Sequence, residues 1–427
     1  MRLFIFLILL NTVSLFATSD SFPVLYRGKI HSAFAYEKLT GKLWNDPDLL
    51  VLPSGYSEDW LPLATLNDQT RNFTPYSDEA FSKIRQAYLT QKIPSLSEAL
   101  QKAYAETLSG NTQRETYEKI VKYPSIWQLE AETFYFKYPI SFILLVAYGI
   151  SLLTLALKTP LWMKVGRFSF VAAFLLHTFF LALRCYILDR PPVSNMFETI
   201  AFVPWITVLV SLVLYQIFKQ KIILLASSMV AFCLLLLLSI TGLSHSLDNV
   251  QPVLDSRYWL IVHVLMVVSS YGVFALSAIL GHFYLFSKSK NSVLNRTILQ
   301  TMYLGTFLLV CGTILGGIWA AESWGRFWDW DPKESWAFIS ICLYLIGIHA
   351  YQFRYIGDTL LALGSCLSFL SITFTWYGVN YILGTGLHSY GFGSGGEWIY
   401  YSFVLGDLLF LGFSTYRSGV IKYGSQD

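Results

Sequence analysis

As far as Tyr138 apolar and polar positions are intermixed, whereas from Pro139 onward the chain becomes a succession of apolar runs separated by short polar links. A spanning helix needs ~20 mostly apolar residues. Runs of that order fall near 139–157, 167–185, 200–218, 221–243, 259–286, 300–320, 336–355, 358–378 and 399–416. The pattern predicts an all-α polytopic membrane protein with about nine transmembrane helices over 139–416. At the start, Leu3–Ala17 is apolar but shorter than a span and leads into Ala17-Thr18-Ser19, so residues 1–19 read as a signal peptide or, alternatively, an N-terminal anchor. Residues 20–138 read as a small, mostly helical extracytoplasmic domain of unknown role. Ser95 and Glu98 make a capping box that opens a helix to about Leu108, and Asn111 caps a second over Glu115–Val121. The earlier part, with Pro23, Gly28, Pro47, Pro53 and Gly55, reads as loop, and His31 within it as a surface histidine.

Composition sharpens this division. Only 13% of the residues are charged and mean hydropathy is +0.49, against ~25% charged residues in a soluble domain. Residues 1–138 hold 29 of the 57 acidic and basic side chains. A net charge of +3 gives no footprint for nucleic acid; the partner that this composition demands is the lipid bilayer. With the 20–138 domain outside, the cytoplasmic loops and the 417–427 tail carry eleven Lys and Arg, including Lys288 and Lys290, and the outer loops after 139 carry five. That asymmetry follows the positive-inside rule and agrees with the export signal.

The orientation places the densest chemistry outside the membrane. Residues 319–336 hold Trp319, Trp324, Trp328, Trp330 and Trp336 together with Glu322, Asp329, Asp331 and Glu334. Trp324 and Trp328 share a face if that stretch is helical. Scattered indoles anchor helix ends at a bilayer surface, but this density of rings and carboxylates suits a platform for a large, flat, mostly apolar ligand. His263 and His388 flank the platform on the same side and read as axial ligands to a metal carried by that ligand, hence haem. His177 and His349 lie within apolar runs, where ionisable groups default to function. His282 reads as a snorkelling or loop residue and His245 as incidental, while Asp407 is left unexplained, pairing with a buried donor being the simplest account. The five cysteines lie in or beside apolar runs, and no C-x-x-C occurs, so the sequence offers no thiolate metal site and no covalent haem site of its own.

The stretch Trp324-Gly-Arg-Phe-Trp328-Asp-Trp330-Asp331-Pro-Lys-Glu334-Ser-Trp336 resembles the tryptophan-rich WWD signature of haem-handling proteins in cytochrome c maturation. Within that superfamily the chain is similar to the CcsA/ResC branch of the cytochrome c synthase system. Three further segments carry the likeness: Gln251–His263, Gly386-Leu-His388-Ser-Tyr390-Gly, and Arg184 through Pro191-Pro-Val-Ser-Asn195-Met-Phe-Glu198. The resemblance implies haem b, bound non-covalently and transported, on the surface formed by Trp324, Trp328, Trp330, Asp331, Glu334 and Trp336. It also implies His263 and His388 as outer iron ligands and His349, more loosely His177, as ligands within the membrane. It implies a separate ResB-type membrane partner and an apocytochrome c with a C-x-x-C-H segment as the acceptor. The activity implied is that of a holocytochrome c synthase (haem lyase) complex, which carries haem to the outer face and presents it for covalent attachment. A haem exporter without synthase activity, and a redox protein that keeps its haem, are the competing readings, and Arg326 and Lys333 are candidate partners for the propionates.

Overall fold

The computed structural model describes residues 23–26, 29–41, 50–51, 61–62, 126–157, 159–241, 247, 256–287, 292–385 and 397–417. The segment 1–19, the helices expected over 95–108 and 115–121, His245, Lys288, Lys290 and His388 lie outside the described residues. The chain forms two units: residues 1–140 with 182–189 and 244–252, and residues 141–181 with 190–243 and 253–427.

The first unit corrects two expectations. Its early part is not simply loop: strands β1 (Pro23–Tyr26), β2 (Lys29–Ser32), β3 (Leu50–Val51) and β4 (Leu61–Pro62) form an antiparallel sheet in the order β2-β1-β3-β4, with Val24 opposite His31 and Leu25 opposite Leu50. Strands this short fall below the length at which alternation is visible in sequence. Helix α1 (Ala33–Thr40) follows at once. Its start is fixed by the Ser32 hydroxyl, which accepts the Ala35 N–H, and its end by Gly41 in the left-handed region at φ 66°; both are ordinary capping solutions. His31 is likewise no surface residue. It is fully buried and donates Nδ1–H to Glu132 of helix α2 (Ile126–Lys137) at 2.9 Å, while the other carboxylate oxygen accepts the Ser32 N–H at 2.6 Å. A buried polar group needs a partner, and here a carboxylate 101 residues away supplies it; nothing local in the sequence announces it.

The second unit is the helical body. Its helices, of which Ile140 and the residues of α4 beyond Leu181 fall in the first unit, are α3 (Ile140–Ala156), α4 (Pro160–Leu188), α5 (Met196–Phe218), α6 (Lys221–Ile240), α7 (Leu260–Phe286), α8 (Ser292–Trp324), α9 (Pro332–Gln352), α10 (Asp358–Leu383) and α11 (Glu397–Arg417). Among the described residues eight are long and apolar enough to cross a membrane, or nine if Trp127–Lys137 and Ile140–Ala156 form one broken span. The protein is thus an integral multi-pass membrane protein, and each apolar run noted above coincides with a helix. Most of these helices extend past the apolar run with polar turns. The longest is α8, with 33 residues. At the α-helical rise that makes it about 50 Å long.

Helix α7 is the hub. It packs against α5, α6, α8, α10 and α11, and its buried face runs from Val268 to Leu285. Phe274 stacks on Tyr344 of α9 at 3.8 Å between ring centroids, and Thr207 of α5 donates its hydroxyl to the Gly272 carbonyl at 2.9 Å. Hydrogen bonds of this kind join helices for which lipid supplies no hydrophobic driving force. His282 is no snorkelling residue: it donates Nε2–H to Asp407 of α11 at 2.7 Å and Nδ1–H to the Ala278 carbonyl at 2.7 Å. Asp407, unexplained in sequence, is thereby paired with a part-buried donor.

Candidate ligand site at one end of the helical body

The start of α7, the end of α8, the start of α9, the end of α10 and the start of α5 meet at the same end of the body. Two adjoining cavities of about 150 and 90 Å³ lie between them, sharing His263, Val267, Tyr271 and Lys333 in their walls. A pocket that encloses a drug-sized ligand has ~300–1,000 Å³, so these form a socket for part of a larger molecule. Two of the helix ends that bound the larger cavity are π-helical, over Leu260–Val264 in α7 and Phe374–Leu383 in α10. Such turns are rare and concentrate at functional sites. Here one carries His263, and the other carries Trp376 and Asn380.

His263 is half-buried and donates Nδ1–H to the Gly312 carbonyl of α8 at 2.7 Å. That bond fixes the tautomer, with the lone pair on Nε2, in the way a metal-ligating histidine is oriented. Its ring lies edge-on to Trp319 at 5.8 Å, and Trp319 stacks on Trp259, whose indole N–H binds Glu322 at 2.9 Å. Gly316 makes room for the imidazole, since a Cβ there would stand 2.4 Å from the ring.

The tryptophan-rich loop is a turn, not a helix. Helix α8 ends at Trp324, and Gly325 takes φ 73°. Glycine enters that left-handed region without steric cost, so the chain leaves the helix there and Trp324 and Trp328 do not share the helical face expected from their spacing. Trp328 instead turns into the smaller cavity, where its indole N–H is buried without a hydrogen-bond partner among the described residues. Trp330 stands 69% exposed, edge-on to Trp328 at 5.8 Å, with its backbone at φ 56°. Asp331 caps α9, and Glu334 closes the capping box by accepting the N–H groups of Asp329 and Asp331 at 2.9 and 3.3 Å, so each end of the motif satisfies a donor of the other. Trp336 packs on Phe374 at 4.2 Å and lines neither cavity.

The segment before α5 joins the site as well. Val193, Ser194 and Asn195 wall the larger cavity, held by Asn195 capping α5 and by Arg190 bonding Glu198 at 3.1 Å, both charges buried. Trp376 bonds Thr199 at 3.1 Å and so ties α10 to α5. Tyr271, Gly312, Trp376 and Asn380 were missed in sequence. Only Asn380, a polar residue just past an apolar run, carried a signal.

Two expected residues stand apart. His349 is exposed and donates Nδ1–H to the Leu345 carbonyl. It lies sixteen residues along α9 from Lys333, about 24 Å of helix. His177 is fully buried in α4, donating Nε2–H to the Ala201 carbonyl at 2.9 Å and accepting from the Tyr148 hydroxyl at 3.2 Å. Among the described residues no three His, Cys, Asp or Glu side chains converge to hold a metal ion by themselves.

Residues 193–388, which include most of the cavity walls, match the family described as cytochrome C assembly protein. The chain is 38% identical to protein NrfI of Wolinella succinogenes over 52% of its own length, but that covers a quarter (25%) of NrfI. It is 29% identical to the cytochrome c biogenesis protein CcsA of Chlamydomonas reinhardtii, over 57% of this chain and 72% of that one. The CcsA protein of Trieres chinensis is 31% identical, over 53% of this chain and 86% of its relative. With most of a CcsA protein reproduced within this sequence, the chain belongs to the CcsA family of cytochrome c biogenesis proteins.

Proposed function

We propose that the cavity end of the body faces away from the cytoplasm and there presents non-covalent haem b for attachment to apocytochrome c. The observation that carries this reading is His263, its tautomer set by Gly312, at a socket edged by the indoles of Trp319 and Trp328. Three features fit haem in particular: an imidazole lone pair for iron, stacked rings for a macrocycle, and a buried indole N–H that lacks an acceptor.

His388 follows five residues after the last π-helical residue, Leu383. Five residues of extended chain reach at most ~18 Å, and His388 serves as the second outer ligand. Trp324, Trp330 and the exposed side of Trp328 form the rest of the platform; Asp331, Glu334 and Trp336 hold the platform's turn and the first turn of α9. His349 takes haem at an earlier stage within the membrane, and His177 does so only by giving up the Tyr148 bond. Haem supplies the vinyl groups that meet the thiols of the acceptor's C-x-x-C-H segment, and this chain's share is positioning. A ResB-type membrane protein is the expected partner in the complex.

The test is the absorption spectrum of the purified full chain. Wild-type protein should show a six-coordinate haem signature, and His263→Ala should lose it, with added imidazole restoring part of the signal. An unchanged spectrum in both His263→Ala and His388→Ala would remove the outer site.

A further inference from the structure

Among the described residues Lys333 is the one lysine or arginine in the walls of the two cavities, and it lines both of them. Its ammonium makes no hydrogen bond or close ion pair with any described residue, although the Asp331 charge acts on it. The nearby carboxylates are turned to other work: Asp331 caps the Lys333 backbone N–H at 2.9 Å, and Glu334 holds the amides of Asp329 and Asp331. Trp328 lines the smaller cavity too, and its indole N–H is buried without an acceptor among the described residues. The Lys333 side chain is half-buried, whereas the Trp328 N–H is sealed from solvent, and a buried donor left unsatisfied forfeits its hydration without return. The other basic residue of the turn behaves differently. Arg326 lies outside both cavities, exposed, and is paired with Asp329 at 2.8 Å.

We propose that Lys333 and the Trp328 N–H together form the subsite for a carboxylate at the edge of the ligand, so that this end of the body selects porphyrins by their propionate side chains. The assignment rests on the haem reading above and extends it. Glu334 also lines the smaller cavity, but its carboxylate already accepts the N–H groups of Asp329 and Asp331, so an entering carboxylate finds one ammonium and one neutral donor beside a carboxylate that is already engaged. His263, in the shared wall, sits beside that subsite, so a porphyrin anchored by its edge carries its iron toward the imidazole. Arg326, exposed and paired with Asp329, lines neither cavity and is not part of this subsite.

The experiment compares haem with haem dimethyl ester, which keeps the ring and iron but loses both carboxylate charges. Each is titrated into the purified full chain, wild type and Lys333→Met, and followed by absorbance, with inorganic phosphate as a competing free anion. A charge-assisted hydrogen bond is worth ~1.5–3 kcal/mol, so wild type should prefer haem over the ester by roughly ten- to a hundredfold. Lys333→Met should lose that preference while binding the ester within about twofold of wild type, and Lys333→Arg should keep most of the preference. Millimolar phosphate should weaken haem and leave the ester unaffected. Equal binding of haem and ester by wild type overturns the carboxylate subsite alone, as does a Lys333→Met variant that keeps the preference. Wild-type protein that binds neither porphyrin overturns the haem reading and this assignment with it.

Discussion

The Glu334 carboxylate holds Trp330 in a left-handed backbone by accepting the N–H groups on either side of it, from Asp329 and Asp331. Trp330 sits at φ 56°. A bulky residue in that region costs ~1–2 kcal/mol and persists only where its surroundings impose it. Here the carboxylate imposes it, and Ser335 adds a bond from its hydroxyl to the Trp330 carbonyl at 3.1 Å. The gain is an indole standing 69% exposed beside Trp328.

This arrangement separates backbone from ring. Trp330→Gly should relieve the strain and leave thermal stability equal or higher by ~1 kcal/mol, while haem content per protein falls because the ring is gone. Glu334→Ala should lose both the clamp and the capping box, lowering stability by ~1–2 kcal/mol and haem content together. If Trp330→Gly retained wild-type haem content, the exposed ring would be a membrane anchor and not a platform.

The orientation of His263 depends on a missing side chain. Gly316→Ala puts a methyl group 2.4 Å from the imidazole. Overpacking of this kind costs ~1–3 kcal/mol. The ring must turn and give up its Gly312 bond. Haem absorption and cytochrome maturation should drop at least tenfold, in a protein that still purifies as a folded monodisperse species. The control is Gly364→Ala, where a Cβ meets nothing; it should behave as wild type.

Trp328→Phe keeps most of the ring area but deletes the buried N–H. Haem retention should fall by several-fold, whereas haem dimethyl ester should bind as to wild type if the N–H serves a carboxylate. A bilayer anchor would be indifferent to the exchange, since either ring tolerates the interface.

The Arg190–Glu198 pair supports the wall of the larger cavity from behind. Glu198→Ala removes the carboxylate paired with a buried guanidinium and frees the Ser194 amide, which Glu198 holds at 2.7 Å. Loss of one partner from a buried pair costs ~3–5 kcal/mol. Replacing both with apolar residues, Arg190→Met with Glu198→Leu, should recover most of that in a thermal melt in detergent. An additive double variant would show that the two charges do not act as a pair.

The helical body was legible because bilayer-length apolar runs have few other solutions, and every one became a helix. Legibility failed where a partner lies far along the chain or a backbone departs from its period. His31 finds Glu132 across 101 residues, and His282 finds Asp407 across 125. Trp324 and Trp328 were read with a helical spacing that Gly325 breaks. His263, Trp328 and Glu334 could be named from composition, but the walls facing them, Tyr271 and Trp376 among them, resemble ordinary core in any sequence.

The two π-helical turns set what kinds of change this end of the protein tolerates. Each holds one residue more than an α-turn would, so its side chains keep their places only at the present chain length. Deleting Ile261 would wind the first turn back to α and rotate Trp259 by about 100° relative to His263. That rotation parts Trp259 from Trp319 and Glu322. Deleting Val379 would do the same to Asn380 relative to Trp376. Neither deletion removes a group that touches the cavity chemistry, yet each would dismantle it. Length, more than residue identity, is therefore the constraint on these two segments, and alignments or designs that admit single-residue gaps there would misplace everything beyond them.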